Sequence, residues 1–243
     1  MIRRILARSI AKTASTLLCL LRNRKELVLD REQLRCSHIG FSQFGEDALI
    51  ETILPGDTGF YVDVGCFDPD RMSNTLLLYK RGWRGINVDA RQDAIEKFNA
   101  KRPRDINICA AISDADDKSV DLEITASGLT SSIAGSKHPH DVISVVRTVT
   151  RKLATVLDEH AAPEKFAYLN IDVEGADFEA LVGLEMPRYL PSLITIEAWS
   201  GQALKQLTDY LSPFGYRLVG LVHWTAFFVH SRVPGSFCAV NAL

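Results

Sequence analysis

The stretch Phe60 to Ala90, FYVDVGCFDPDRMSNTLLLYKRGWRGINVDA, reads as a strand, a tight turn, a helix and a second strand. Phe60, Tyr61, Val62 and Val64 form a short apolar run of β-preferring residues closed at Gly65, as in a strand buried on both faces. Asp63 interrupts that run. A carboxylate inside a buried strand is costly to desolvate, so it is expected to face a ligand or a set of backbone N–H groups. Gly65 lets the chain turn without a Cβ and lets a ligand approach the backbone. Ser73, Asn74 and Thr75 offer N-cap candidates for a helix through Leu76 to Tyr79, and Gly82 ends it. The second strand, Gly85 to Asp89, again finishes on a carboxylate.

In an open parallel sheet, ligands lie beyond the carboxyl ends of the strands, and an acid roughly 20 residues after the glycine can accept ribose hydroxyls. Asp89 stands at that place, so a nucleoside cofactor is the first expectation. A dinucleotide would need three glycines so that its pyrophosphate can sit on the helix N-terminus. Here Gly65 is followed by Cys66, Phe67, Asp68 and Pro69. Asp68 and Asp70 would repel a pyrophosphate, whereas the sulfonium and amino group of S-adenosyl-L-methionine suit carboxylates. A nicotinamide-dependent oxidoreductase on the same sheet is the rival, and it needs glycines where Phe67 and Asp70 stand.

With these residues in view, the chain resembles the FkbM-type, S-adenosyl-L-methionine-dependent methyltransferases, in the branch with a Ser-Gln-x-Gly-Glu-Asp segment before the first strand. That segment is Ser42 to Asp47. The further matches are Val62 to Gly65, Pro69, Ser73 to Thr75, Gly82-Trp83, Gly85 to Ala90 and Ile171 to Gly175, so the resemblance runs from about Phe41 to Trp199. Cys66 and Phe67 depart from it, standing where an Ala and a His or Asn are usual, and Ala126 to Arg147 matches no pattern.

The resemblance implies a doubly wound, Rossmann-like α/β sheet of the class I methyltransferase kind, mostly parallel with an antiparallel last strand. The cofactor residues expected on the residues and the resemblance together are Gln43, Asp63, Gly65, Cys66, Asn74, Asp89, Ala90, Ala111, Ser113 and Asp172. Ala111 or Ser113 is expected near the adenine, and Asp172 beside the methionine part of the cofactor. Glu174 is the acid expected near the transferable methyl. The acceptor would be a sugar, a lipid or a small secondary metabolite.

At 243 residues, 47% hydrophobic and 24% charged, the chain can bury one substantial core. A basic extension, residues 1–40, would precede a methyltransferase domain over 41–243. The net charge of −2 gives no reason to expect nucleic acid as partner. Five scattered cysteines without a CxxC pair suggest neither a zinc site nor a disulfide framework, and no metal is expected. A cytoplasmic, reducing location follows as the default.

Residues 1–25 carry seven basic side chains and no acid, with apolar residues near helical spacing. Leu17 to Leu21 is too short to span a bilayer, which takes roughly 20 apolar residues. Peripheral membrane contact is one reading of such a helix. A helix packed on the domain, or a frayed end, is the commoner fate of a terminus. A non-catalytic membrane-surface module built on the same fold is the second rival.

Further along, Phe41 to Leu54 reads as a helix capped by Ser42, with Gln43 and Glu46 in its first turn; Glu46 complements the helix dipole or helps form the cofactor pocket. Ile106 to Ile112 reads as the third strand, and Val120 to Thr125 as a short edge strand. The polar segment Ala126 to Arg147 is expected to be a substrate-facing loop, and His138 and His140 there are weighed as bases against plain solvation. Phe166 to Ile171 and Ile194 to Ala198 read as the fourth and fifth strands, closed by Asp172 and Glu197. His223, between two apolar runs near the C-terminus, is a second candidate base beside Glu174.

Overall fold

The computed structural model of the chain describes residues 30, 32–33, 37–126, 132–133 and 142–234. The chain divides into two units, Met1–Ile39 and Gly40–Leu243. In the first, the described residues form a short turn in which the Asp30 carboxylate accepts the N–H groups of Glu32 and Gln33. The basic helix expected over residues 1–25 lies outside the described residues, as do His138 and His140. Among the described residues, no helix is long and apolar enough to cross a membrane.

The second unit opens with α1 (Glu46–Ile53), β1 (Phe60–Val64), α2 (Leu76–Lys80), β2 (Arg84–Asp89), α3 (Gln92–Lys101) and β3 (Ile106–Cys109). Then come β4 (Ala111–Ser113), β5 (Ser119–Thr125), β6 (Ser132–Ile133), β7 (Val142–Lys152) and α4 (Leu153–Glu159). It ends with β8 (Tyr168–Ile171), α5 (Asp177–Val182), β9 (Leu193–Glu197), α6 (Gly201–Leu211), a 3₁₀ turn, β10 (Tyr216–Val222) and β11 (Thr225–His230). The main sheet has seven strands in the order β10-β11-β9-β8-β1-β2-β3. Its pairings are parallel from β3 across to β9, and β11 runs antiparallel to both β9 and β10. This is the expected doubly wound sheet with an antiparallel last strand.

Period-2 alternation explains why the strands read as nearly continuous apolar runs. Val62, Val64, Leu169, Ile171, Ile194 and Ile196 bury one face in a core shared with α4, α5 and α6. Tyr61, Tyr168, Leu193, Phe227 and Val229 bury the other against Ile50 and Ile53 of α1, Leu78 of α2 and Trp83. Asp63 alternates onto this second face. Truncating a fully buried residue such as Leu169 to Ala would cost about 2 to 5 kcal/mol.

Three local expectations are corrected. The first helix begins at Glu46 rather than near Ser42. The Ser42 hydroxyl accepts the N–H groups of Gly45 and Asp47, and Gly45 takes a left-handed conformation with φ 94°. The Asp47 carboxylate holds the N–H groups of Phe41 and Ser42, so residues 41–45 form a bonded turn.

The expected third strand breaks at Ala110. Its N–H extends the β2 ladder by one bond to the Asp89 carbonyl, after which Ala111–Ser113 pairs with Thr150–Lys152 in a separate four-stranded sheet, β4-β7-β5-β6.

The expected loop over 126–147 is shorter than read. From Val142 the chain forms an 11-residue strand antiparallel to β5, as the β-branched residues among Val142, Ile143, Val145, Val146, Thr148 and Val149 favour.

Candidate functional site

The order of the parallel strands reverses between β1 and β8, and ligands bind at such a switch point in open α/β sheets. A cavity of about 350 Å³ opens there, at the carboxyl ends of β1, β8 and β9 and the turn between β10 and β11. Its lining includes Gln43, Asp63, Gly65, Cys66, Asn74, Asp172, Glu174 and His223 among the residues expected from sequence. Phe44, Phe67, Met72, Ser73, Asn170, Glu197, Trp199 and Trp224 complete it. Among the described residues, no Lys or Arg lines it.

Gly65 is required at the floor. It has φ +79°, and a Cβ there would stand 1.6 Å from the Asp172 carbonyl oxygen. That close approach seats the turn after β1 on the end of β8, where the Asp172 N–H donates to the Val64 carbonyl. Four non-glycine residues of the lining, Phe67, Met72, Glu174 and His223, also hold positive φ. Each such conformation costs on the order of 1 to 2 kcal/mol, and strain of this kind gathers at functional sites.

Asp63 is 2% exposed and answers the question its sequence position raised. Its Oδ2 accepts the Thr75 hydroxyl at 2.6 Å and its Oδ1 accepts the Asn170 amide at 2.9 Å. Asn170 Oδ1 in turn accepts the Asn74 amide at 3.0 Å and the Thr195 hydroxyl at 2.8 Å. One network of side-chain bonds thus ties the loop after Gly65 to β8 and β9. Burial raises the Asp63 pKa, and the bonds from Thr75 and Asn170 and the charge of Arg102 oppose that rise.

Asp89 lies on the other side of the same loop. Its two oxygens accept the N–H groups of Phe67 at 2.9 Å and Arg91 at 2.8 Å. Each carboxylate oxygen keeps further acceptor capacity for a hydroxyl. Ala90 follows directly, with the Cys109 thiol 3.5 Å from its carbonyl. Ala111 and Ser113 are not brought to the cavity. Both are buried in the second sheet, and the Ser113 carbonyl packs so closely on Gly183 that a Cβ there would stand 2.2 Å away. The chain end after β3 that the sequence reading placed near an adenine therefore stops at Cys109 and Ala110.

At the far side stand Asp172, Glu174 and Glu197, with Asp177 beneath. One oxygen each of Asp172, Asp177 and Glu197 lie within 4.8 Å of one another, a spacing that could hold a metal ion. Burial first, and then the neighbouring negative charges of Glu197, Asp177 and Glu174, push Asp172 well above the usual carboxylate range. Glu197 is raised by burial and by Asp177 and Glu174, and its Oε2 is buried without a hydrogen-bond partner. Burial and Asp177 raise Glu174 to about 7. Asp177 rises only to about 6, because it accepts the N–H groups of Val173 and Gly175.

The mouth is aromatic. His223 stacks on Phe44 with centroids 4.1 Å apart and planes 10° apart, and it meets Trp224 edge-on. Trp199 and Trp224 lie 5.5 Å apart. Glu46, the other acid of the first turn, is absent from the lining; its carboxylate accepts the Phe44 N–H at 2.8 Å and so shapes the turn that presents Gln43 and Phe44.

Sequence reasoning missed Asn170, although a polar residue inside the buried run Tyr168 to Ile171 carries the same signal as Asp63. It also missed Trp199 and Trp224, which no local pattern distinguishes from packing residues.

A search of curated proteins returns no match. Among solved structures, a TehB-like SAM-dependent methyltransferase from Corynebacterium glutamicum ATCC 13032 is similar at 14% identity and a TM-score of 0.41. That match covers 83% of this chain and 94% of the other. The profile of the methyltransferase FkbM domain matches residues 63–218, well over half of the chain and the whole span from the Asp63 carboxylate to the edge of the aromatic mouth. The chain therefore belongs to the FkbM methyltransferase family.

Proposed function

We propose that the enzyme transfers the methyl group of S-adenosyl-L-methionine to a hydroxyl of a small molecule, sugar or lipid. The observation that carries this reading is the lining of the switch-point cavity: four carboxylates, Asp63, Asp172, Glu174 and Glu197, and, among the described residues, no Lys or Arg. Such a cavity favours a cation and disfavours a pyrophosphate.

The residues fit the methyl donor. Asp89, held by two backbone N–H groups, is suited to ribose hydroxyls, with Ala90 beside it. Asp63, Asn74, Asn170 and Asp172 suit the amino-acid part, and the Gly65 turn gives a backbone cradle that a side chain would fill. Bound there, S-adenosyl-L-methionine supplies a methyl group on a positively charged sulfur.

The protein's own contribution is alignment and proton handling. Holding donor and acceptor in line can contribute about 7 to 11 kcal/mol. Glu174, at about 7, is poised to take the proton that an acceptor hydroxyl loses as its oxygen bonds to carbon. His223, stacked flat on Phe44, serves better as a wall of the acceptor space than as the base.

A thermal-shift comparison tests the reading. S-adenosylhomocysteine should raise Tm and NADH should not; the reverse pattern would favour the oxidoreductase.

A further inference from the structure

We propose that Arg102, which lines no part of the cavity, is a positioning residue for its cofactor half. Its guanidinium fixes the Pro69–Thr75 loop and, through the Thr75 hydroxyl, aims the Asp63 carboxylate. The inference rests on the assignment of that half to S-adenosyl-L-methionine.

Arg102 is the residue just after α3 and is 1% exposed. Nε and Nη2 both donate to the Pro69 carbonyl, at 3.2 and 2.6 Å. Nη2 also donates to the Ser73 hydroxyl at 2.8 Å, and Nη1 to the Thr75 hydroxyl at 2.8 Å. The guanidinium carbon lies 4.8 Å from the centre of the Phe98 ring and 5.6 Å from that of Tyr79. Among the described residues it forms no ion pair. Through the Thr75 hydroxyl it is linked to the Asp63 carboxylate, and its charge acts on Asp63 and on Asp105.

A buried charge is a poor way to gain stability, since an apolar side chain of similar volume often does as well or better. What an apolar residue cannot do is hold three acceptors of one loop at fixed angles. The planar fork does this, and a lysine ammonium cannot reproduce it. The acceptors it holds are functional in position: Ser73 lines the cavity, Asn74 follows it, and Thr75 donates to Asp63. Ser73 passes the arrangement on, because its hydroxyl also accepts the N–H of Leu76 at the start of α2. One buried cation therefore sets the loop, the helix start and the strand-borne carboxylate together.

The test is calorimetric titration of the full chain with S-adenosylhomocysteine and, separately, with adenosine. Thr75→Val keeps the side-chain shape and removes the hydroxyl, Thr75→Ser restores it, and Arg102→Lys keeps the charge without the fork. Thr75→Val and Arg102→Lys should each weaken S-adenosylhomocysteine at least 10-fold while adenosine changes less than threefold, and Thr75→Ser should stay within twofold of wild type. A loss that falls equally on both ligands, in step with a lower Tm, or an S-adenosylhomocysteine Kd within twofold of wild type in both variants, overturns the role of Arg102 alone. No binding of S-adenosylhomocysteine by the wild-type chain overturns the methyl-donor assignment itself, and this inference with it. Should Arg102→Lys fail to fold, the Thr75 pair still decides.

Discussion

The two sides of the site carry carboxylates under different conditions, and on the first of them Asp89 stands outside the cavity lining, behind Phe67. On the β1–β2 side, Asp63 and Asp89 each have both oxygens held by donors, from Thr75 and Asn170 and from the Phe67 and Arg91 backbone. On the β8–β9 side, burial and the neighbouring negative charges together raise Asp172, Glu174 and Glu197. The burial that also raises Asp63 and Asp89 is opposed by the bonds they accept. Carboxylates whose oxygens are held by donors have a fixed orientation suited to binding. Crowded ones are pushed up, Glu174 to about 7 and Glu197 to about 8, and suit proton transfer.

Substitutions on the two sides should therefore separate binding from turnover. Glu174→Gln is expected to have the largest effect, lowering turnover by about 10² to 10⁴ with S-adenosylhomocysteine affinity unchanged. Steady-state kinetics on an acceptor that is methylated would check it, and a wild-type rate would remove Glu174 as the base. Asp63→Ala removes the centre of the held network. The two hydrogen bonds it accepts, from Thr75 and Asn170, lie within the protein, so the variant should lose Tm as well as bind S-adenosylhomocysteine at least about 10-fold more weakly by calorimetry. Asp89→Ala should weaken it about 10-fold or more, with the loss concentrated in adenosine binding. An unchanged adenosine Kd there would erase the distinction between the two parts of the held side.

The smallest effect is on stability and reads the crowded side alone. Glu174 is raised in the folded state, so its contribution to stability is fully present below its unfolded pKa, near 4.5, and is lost as pH rises through about 7. Glu174→Gln should leave Tm unchanged at pH 4. At pH 8 it should raise stability on the order of 1 kcal/mol after solvent screening, or about 2 to 4 °C. Equal Tm values for variant and wild type at pH 8 would mean that the crowding is relieved in solution.

The same contrast separates what was legible in the sequence from what was not. Asp63, Gly65, Asp89 and Asp172 could be read because each breaks a local rule: a charge in a buried strand, a glycine at a strand end, an acid at a strand's carboxyl edge. The antiparallel last strand was expected too, whereas the order of the strands in the sheet was not read. The break at Ala110 was not legible, since Ile106 to Ile112 has one strand-like pattern and only pairing with β7 pulls Ala111 and Ser113 into another sheet. Arg102 was hidden for a similar reason. Its partners lie 27 to 33 residues away in sequence, and one arginine of the basic run Lys101-Arg102-Pro103-Arg104 at a helix end looks like a solvated residue.

The account stands on one claim, that the held carboxylates at the ends of β1 and β2 receive a nucleoside that carries positive charge. A crystal structure of the chain with S-adenosylhomocysteine would test it most directly. The ribose hydroxyls should lie within hydrogen-bond distance of Asp89, and the amino group should lie on the Asp63–Asn170 side with the sulfur facing Glu174. A ligand bound elsewhere, or turned so that its ribose meets Glu197 and the tryptophans, would contradict it.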